Sequence, residues 1–460
     1  MSPRLASLIC FLCIFYLFWV DRKKSDGISR AVWIPLIWMF FAGSRFASQW
    51  LNLAPPEMSA EGYSEGSPLD RNVFLVLILA GIWVLRQRRL NWSLLIARNA
   101  WVVLFFVFAL VSTLWADDPF MSVKRWIKGL GNLVMALILV TEHRPVKSLG
   151  LVLRRLGFVL LPLSVLFIKY YPDLGRGYHM GMPMFGGATL TKNALGQLCL
   201  ITGIYYFWEL LLRRGKPEFS GDQLHYSVYF IMLPMIAWLL YIADSATSLS
   251  CMMIAVALLV AVRWPPVSRK PRRIFSLVIT CVLVLAFLES LFGIKETIIL
   301  MLGRRPDLTD RGTIWTLVLS MASNPLIGSG YESFWTGPRL LELSQRLGGV
   351  MLNQAHNGYI ELYLNLGIIG LFFLLGSILT GLLKVRRQLE MEYAYAMLKF
   401  ALIVAMLTYN YTEAMFVSVS NIFVLLLVGI LEYGKPMKHD EVVMVGGRHA
   451  KFSKVKKYVG

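Results

Sequence analysis

A histidine with polar neighbours marks the point where a long polar loop runs into an apolar stretch. The segment is NQAHNGYIELYLNLGIIG, and its histidine is His356. As a helix, the segment places His356 on one face with Tyr359, and Asn357 on the adjoining face with Glu361 and Asn365. Imidazole exchanges a proton readily near neutral pH, so His356 is a candidate general base. The alternative is an interfacial histidine that only hydrogen-bonds with its polar neighbours.

The loop before this histidine supplies cations that suit a diphosphate. Segment 293–358 contains Arg304, Arg305 and Arg311, on a side of the chain that is otherwise slightly acidic. The planar guanidinium fork binds phosphate oxygens two at a time, which favours diphosphate as the ligand. A solvated salt-bridge face is the alternative for the first two arginines, because Asp307 lies beside them. No metal site is predicted, since no group of His, Asp and Glu residues has ligand spacing.

The composition excludes most classes of soluble protein. The 460 residues are 57% hydrophobic and 16% charged, with a mean hydropathy of +0.60. A soluble domain has about 25% charged residues, and a disordered chain has far less apolar surface. The chain is therefore predicted to be a membrane protein.

The net charge of +19 is explained by the orientation of the chain in the membrane and does not indicate a nucleic-acid partner. Apolar spans divide the polar loops into two alternating sets, and about two thirds of the 46 Lys and Arg residues fall in one set. The other set is close to neutral. Because positively charged loops stay in the cytoplasm, we predict a multi-pass inner-membrane protein with a cytoplasmic C-terminus and no nucleic-acid partner.

The apolar runs predict an all-α polytopic membrane protein with a bundle of about 12–13 transmembrane helices. The candidate spans are 5–20, 31–52, 72–85, 99–116, 126–141, 156–171, 193–212, 226–243, 246–262, 274–292, 359–383, 394–413 and 416–433. The predicted regions are a bundle of about ten spans over 1–292, a periplasmic loop with short helices over 293–358, three further spans over 359–433, and a basic cytoplasmic tail over 434–460. A signal peptide is the alternative for the first span, but Asp21-Arg22-Lys23-Lys24 is no small-residue cleavage site.

Two outer segments are predicted to lie close to a ligand. In the long loop, residues 312–323 are typical of a helix that stops at Asn324-Pro325, and Pro338 opens a second helix. These helices would form a lid over the outer mouth of the bundle. The other segment is 173–193, which is rich in glycine and can therefore approach a ligand closely.

Charged residues inside predicted spans are the remaining candidates. Arg45 lies in the second span, Glu289 near an outer end, and Glu413 in the sequence NYTEA at another. An ionisable group in the membrane is costly, so it is a functional candidate by default. Snorkelling to the interface explains such groups equally well.

The order of these motifs resembles a known family. An arginine in DRGTIW, the turn NPLIGSGY and then HNGYIELYLNLGIIG are similar to the bacterial superfamily of O-antigen ligases and of O-antigen and exopolysaccharide polymerases. The resemblance is strongest over 300–370, with support from GGATLTKNALG at 186–196 and DSATS at 244–248. The sequences AGSRFASQWL and GSPLDR look more like the exopolysaccharide-production polymerases. One departure is Thr191, where many relatives have a histidine.

The resemblance implies a GT-C-like fold and an inverting glycosyl transfer on the periplasmic face, without metal or other cofactor. The donor would be an oligosaccharide on undecaprenyl diphosphate, and the acceptor a growing glycan or lipid A core. His356 would be the general base, and Arg311 would hold the diphosphate. The weaker diphosphate candidates are Arg304, Arg305, Arg176 and Lys192, and the candidate supporting residues are Asn357, Tyr359, Glu361 and Arg45. Membrane lipid and other polysaccharide-assembly proteins are the further expected partners.

Two alternatives to a polysaccharide polymerase stay open. An O-antigen ligase would share the donor and the site residues and differ in its acceptor. A lipid-linked glycan flippase or transporter belongs to another class, and it predicts repeated halves with charges near the bilayer midplane. The polar residues of this chain are concentrated in the outer loops instead.

The charge pattern predicts the side on which each loop lies. A reporter that is active only in the periplasm is expected to be active when fused after Gly337 and silent when fused after Arg387, because the second position lies among positively charged loops. The activity of the two fusions at equal expression tests this prediction. Reversed activities would invert the predicted topology.

Overall fold

The chain is almost entirely helical in the part that is described. The computed structural model describes residues 1–22, 27–53, 67–179, 182–213, 223–293, 311–347, 352–416 and 419–434. Its helices are α1 (Pro3–Asp21), α2 (Trp33–Ala42), α3 (Ala47–Trp50), α4 (Pro68–Gln87), α5 (Trp92–Arg98), α6 (Ala100–Val111), α7 (Pro119–Val140), α8 (Pro145–Tyr170), α9 (Pro172–Gly175), α10 (Lys192–Trp208), α11 (Tyr226–Ala243), α12 (Ala246–Ala261), α13 (Pro265–Ser268), α14 (Arg273–Phe292), α15 (Arg311–Ser320), α16 (Gly337–Arg346), α17 (Gly358–Gln388), α18 (Tyr393–Tyr409) and α19 (Asn421–Ile430). A short antiparallel hairpin pairs β1 (Arg176–His179) with β2 (Met182–Phe185). Short 3₁₀ turns at Arg30–Val32 and Ser112–Trp115 and a π-helical turn at Glu209–Arg213 adjoin the helices.

Seven of the described helices are long and apolar enough to cross a membrane. They are α1, α4, α8, α10 with its π-helical extension, α11, α14 and α17. α5 and α6 meet at a bend of 90° and together have the composition of an eighth span. Several other predicted spans are shorter apolar helices, such as α12, α18 and α19. The prediction of an all-α polytopic membrane protein is confirmed.

Burial separates central helices from peripheral ones. Within their most apolar stretches, 83% of the residues of α10 and 78% of those of α8 are buried, against 6% in α14. A helix that is apolar all round is stable either inside a protein core or in lipid. α10 therefore lies in the core of the bundle, and α14 lies at its edge.

The second predicted span, 31–52, is not one helix. α2 ends at Gly43, and the chain turns before α3 begins at Ala47. α3 is fixed to α4 through Asp70, whose carboxylate accepts from the Ser48 backbone N at 2.8 Å and the Ser48 hydroxyl at 2.5 Å. Arg45 therefore lies in a break between helices, whereas the sequence predicted it inside a span.

α17 is also interrupted, at Gly367. This residue has φ +63° and ψ −166°, which breaks the helical path inside the 31-residue element. The NPLIGSGY turn docks into the break, where the backbone N–H of Ile368 donates to the carbonyl of Pro325 at 2.9 Å. The N–H of Ser329 in turn donates to the carbonyl of Leu364 at 3.0 Å. The NPLIGSGY turn, which was predicted to end one helix, thus also forms hydrogen bonds with backbone groups at the break in α17.

The long loop has a small hydrophobic core of its own. Val318 of α15, Phe334, Leu343 of α16, Ala355 and Leu364 of α17 are buried together. The sequence predicted helices over 312–323 and from Pro338, and α15 and α16 confirm both. Because Leu364 belongs to this cluster, the loop packs against the first part of α17.

Described ion pairs join neighbouring loops of the positively charged set. Among the positively charged loops, Glu142 accepts from Arg88 and from the Ser29 hydroxyl, and Asp21 pairs with Arg154 and Arg155. These carboxylates join helices that are far apart in sequence. The side of the membrane on which each set lies remains a prediction.

Replacing Gly367 is expected to destabilise the break. A Cβ at this position would lie 2.2 Å from the carbonyl oxygen of Leu326, and φ +63° is unfavourable for alanine. We expect Gly367→Ala to lower the free energy of unfolding by about 1–3 kcal/mol, measured by thermal unfolding of the purified protein. Gly312→Ala is the matched control, because a Cβ there meets no atom within 4 Å. Equal unfolding temperatures for the two variants would contradict the proposed role of the break.

Candidate functional site

Arg311 and His356 meet at a buried carboxylate. The side chain of Glu413 is 4% exposed, and its Oε1 lies 3.3 Å from Nη2 of Arg311. Its Oε2 lies 3.6 Å from Nδ1 of His356, an ion-pair separation that is slightly too long for a hydrogen bond. Asn193, at the start of α10, donates from Nδ2 to Oε1 at 2.9 Å. We call these four residues the Glu413 cluster.

The segment that carries Glu413 is tied to the start of α17. The backbone N–H of Gly358 donates to the carbonyls of Asn410 at 2.7 Å and of Glu413 at 3.0 Å. A Cβ at Gly358 would lie 2.4 Å from Oδ1 of Asn410, so this close approach requires glycine. The contact holds the residues after α18 against the residues that precede α17, and so brings Glu413 to His356.

His356 itself lies outside the helix. Asn357 caps α17, because its Oδ1 accepts from the backbone N–H groups of Tyr359 at 3.0 Å and of Ile360 at 3.2 Å. His356 has φ +50°, a left-handed backbone conformation. The predicted helical face that joined His356 to Tyr359 is therefore wrong, because the N-cap at Asn357 makes the helix begin at Gly358, after His356.

Glu361 fixes the backbone on one side of His356. Its Oε1 accepts from the indole N–H of Trp335 at 2.6 Å and from Nδ2 of Asn365 at 3.1 Å, and its Oε2 accepts from the backbone N–H of Ala355 at 2.9 Å. Glu361 and Asn365 are both buried, on the common face that the sequence predicted. The Ala355 bond anchors the residue directly before the histidine.

α15 also holds the backbone of Ala355, through the carbonyl group of that residue. The indole N–H of Trp315 donates to the carbonyl of Ala355 at 2.9 Å. Both backbone groups of Ala355 are thus bonded to side chains, one from α17 and one from α15. Because Arg311 begins α15, the same helix positions the candidate base and the candidate diphosphate ligand.

The other predicted residues have different positions. Lys192 precedes Asn193 and lies 3.5 Å from the carboxylate of Asp244, at the edge of the Glu413 cluster. Arg176 donates from Nε to the carbonyl of Ile168 at 2.8 Å, and no described contact joins it to the cluster. Arg304 and Arg305 lie outside the described residues.

Arg45 and Tyr359 have structural contacts. Arg45 donates to the carbonyls of Leu174 and Gly187, and so fastens the glycine-rich stretch 173–193 to the break after α2. The hydroxyl of Tyr359 donates to the carbonyl of Leu407 at 3.1 Å, which packs α17 against α18. Neither residue contacts His356 through a described bond.

Two residues of the cluster carried little signal in the sequence. Glu413 was noticeable only as a carboxylate inside a predicted span, and its partners lie 57 and 102 residues away. Asn193 had no signal beyond its position next to Lys192. Among the described residues, no three His, Cys, Asp or Glu side chains are grouped closely enough to hold a metal ion.

A third carboxyl group in this region, that of Glu332, belongs to no motif that the sequence analysis identified. Glu332 follows the NPLIGSGY turn with φ +47°, and Arg125 donates to its backbone carbonyl. Burial raises the pKa of Glu332 to about 7, partly opposed by the positive charges of Arg125 and Lys128 and reinforced by Glu361. A group that titrates near neutral pH therefore lies beside the turn that docks on α17.

The Glu361 carboxylate is expected to be essential for the geometry of the site. In Glu361→Gln, one carboxylate oxygen is replaced by an NH₂ group. The side chain can then no longer accept hydrogen bonds from donors on both sides, so a buried N–H group loses its partner. We expect the free energy of unfolding to fall by about 1–3 kcal/mol, measured by thermal unfolding. Glu342→Gln is the control, because Glu342 pairs with Arg346 in the solvent at 2.5 Å and such pairs contribute little. An unchanged stability for Glu361→Gln would show that the carboxylate is dispensable.

Comparisons with known proteins agree with the motifs. Residues 230–375 match the family described as O-Antigen ligase. Over 314 residues, covering 64% of this chain and 67% of the relative, the sequence is 26% identical to the exopolysaccharide production protein ExoQ of Rhizobium meliloti (strain 1021). The family match includes Arg311 and His356 and ends before Glu413. Through this region the chain is similar to the O-antigen ligase family, and over a longer stretch it is similar to an exopolysaccharide production protein.

Proposed function

We propose that this protein transfers a glycan from a polyprenyl diphosphate carrier to a sugar hydroxyl, with His356 as the general base. The family match supports a ligase- or polymerase-type function. The residue assignment is carried by the contact of both His356 and Arg311 with the buried carboxylate of Glu413. That contact brings a proton acceptor and a cation together at one place, next to the predicted mouth of the bundle.

His356 is suited to accept the proton of the acceptor hydroxyl. Its Nδ1 faces Glu413, so we assign the ring proton to Nδ1, which leaves the lone pair on Nε2. When Nε2 takes up a proton, the carboxylate of Glu413 stabilises the imidazolium. In this scheme Glu413 is a positioning residue, because it acts on the substrate only through His356 and Arg311.

Arg311 is suited to the diphosphate. Its guanidinium has five N–H donors, of which the contact with Glu413 uses one. The contact orients the fork, and a charge-assisted bond to phosphate oxygens would stabilise the negative charge of the leaving group. Lys192, paired with Asp244 beside the cluster, is the nearest further cation among the predicted residues.

The proposed reaction is a single displacement. The acceptor oxygen forms a bond to the anomeric carbon of the donor sugar on the face opposite the diphosphate, and Nε2 of His356 takes the hydroxyl proton. The bond from the anomeric carbon to the phosphate oxygen breaks, and its electron pair leaves with the diphosphate. One displacement inverts the anomeric configuration, and no step in this scheme requires a metal ion or another cofactor.

The relative favours a polymerase over a ligase. ExoQ is described as an exopolysaccharide production protein, and its similarity extends over about twice the length of the family match. We therefore infer that the acceptor is a growing glycan, in an inner-membrane protein whose site faces the periplasm. The second candidate is a ligase that uses lipid A core as the acceptor, which the family description supports.

A deletion strain complemented with variants tests the proposal. His356→Ala is expected to abolish polymer and to leave lipid-linked repeat units, because the other basic group of the cluster, the Glu413 carboxylate, is buried and paired with Arg311. Glu413→Gln is expected to reduce the rate about 10²-fold, since the imidazolium loses its counter-charge. Polymer length and lipid-linked intermediates are measured at matched amounts of folded membrane protein.

His143→Ala is the matched control, because His143 is exposed in a turn between α7 and α8 and is expected to have no effect. Normal polymer from His356→Ala would refute the assignment of the base. A deletion strain that keeps its exopolysaccharide but makes rough core and accumulates lipid-linked glycan would identify a ligase.

A further inference from the structure

A basic groove lies at the far end of the molecule from the Glu413 cluster. It has a volume of about 820 Å³ and lies between the loop before α14 and the end of α17. Its cations are Arg269, Lys270, Arg272, Arg273 and Arg386. His356 lies two residues before the start of α17, and the uninterrupted part of that helix from residue 368 to Arg386 is about 28 Å long. The basic groove and the Glu413 cluster are therefore separated by roughly the thickness of a membrane, so the groove is not the donor site.

The charges of the basic groove are largely uncompensated. One carboxylate, that of Glu390, lines it, and Arg272 pairs with that carboxylate at 2.6 Å. Among the described residues, Arg269, Lys270 and Arg386 have no carboxylate within ion-pair distance. Several cations of other basic loops are paired, as Arg154 and Arg155 are with Asp21. Orientation in the membrane explains why cations lie on this side, but it does not explain why they converge unpaired on one concave surface.

The helix beside the groove leaves the protein core after its first turns. At its start Ile274 is buried, and the ring of Phe275 packs 4.6 Å from that of Phe400. Further along, four consecutive residues of α14, 282–285, are 48–64% exposed. Successive side chains of a helix point 100° apart, so these four cover its whole circumference. The described protein therefore leaves this part of α14 open on every side, including the side that faces the bundle.

We propose that the basic groove binds the phosphate headgroup of an anionic phospholipid, whose acyl chains lie along the exposed apolar surface of α14. Cationic pockets between transmembrane helices suit acidic headgroups, since each nearby Lys or Arg attracts them. A free phosphate would satisfy the cations but would leave the apolar surface uncovered. A phospholipid matches both surfaces, because it carries its anion and its apolar chains in one molecule.

The experiment uses the full-length protein, delipidated in a neutral detergent. Phosphatidylglycerol and phosphatidylcholine with identical chains are added separately, and bound phosphorus and unfolding temperature are measured after gel filtration. We expect phosphatidylglycerol to bind at least about ten-fold more tightly than phosphatidylcholine, and the triple variant R269Q/K270Q/R386Q to lose this preference. The control R86Q/R263Q/R387Q removes the same charge from exposed positions outside the groove and is expected to keep it.

A second comparison separates the groove from general surface charge. Arg386 lines the groove and its neighbour Arg387 does not, so R386Q is expected to weaken phosphatidylglycerol binding more than R387Q does. Equal losses in the two single variants, or a preference retained by the triple variant, would overturn the proposal. Full competition by glycerol 3-phosphate would also overturn it, because a headgroup without chains would then be sufficient. Unchanged unfolding temperatures in phosphatidylcholine confirm that the variants are folded.

Discussion

The site depends on the desolvated charge of Glu413. A carboxylate that is 4% exposed is strongly destabilising unless cations and hydrogen-bond donors surround it. Here the donors come from Arg311 of α15 and Asn193 of α10, with the imidazole of His356 beside them. The same electrostatic requirement therefore gathers three distant parts of the chain and orients the two groups proposed to act on the substrate.

Around this charge, positioning and chemistry are assigned to different residues. Glu361 and Trp315 bond to the backbone of Ala355 and not to the side chain of His356. The imidazole keeps one nitrogen towards Glu413 and is 30% exposed, so a substrate can reach it. The base is thus held in position through its main chain, which leaves Nε2 of the imidazole free to contact the substrate.

The sequence predicted the parts of the site that are local in the chain. His356 and Arg311 were recognisable because a base and a guanidinium occur in short motifs near the end of a polar loop. The pairing with Glu413 could not be predicted, since it depends on how α18 packs against α17. The helical phase of His356 was wrong because Asn357, a strong N-cap, competes with continuation of the helix.

Long apolar runs were easier to predict than their interruptions. The sequence correctly indicated many helices, but the break that contains Arg45 lies inside an apolar stretch that reads as continuous. That break is stabilised by Asp70 from another helix, through bonds that no local pattern contains. Hydropathy therefore located many of the apolar helices, whereas hydrogen bonds between helices determine where some of them end.

The interruption of α17 divides it into a polar first part and an apolar second part. Residues 368–388 are about 31 Å long, which is enough by itself to cross the hydrocarbon layer. The nine residues before the break, from Gly358, include the polar side chains of Glu361 and Asn365, which a headgroup layer accommodates more readily than hydrocarbon does. His356 lies two residues before the first of them, outside the helix. In the proposed function, the donor diphosphate would lie at the headgroup level, and the two-part helix would hold the base at that same depth.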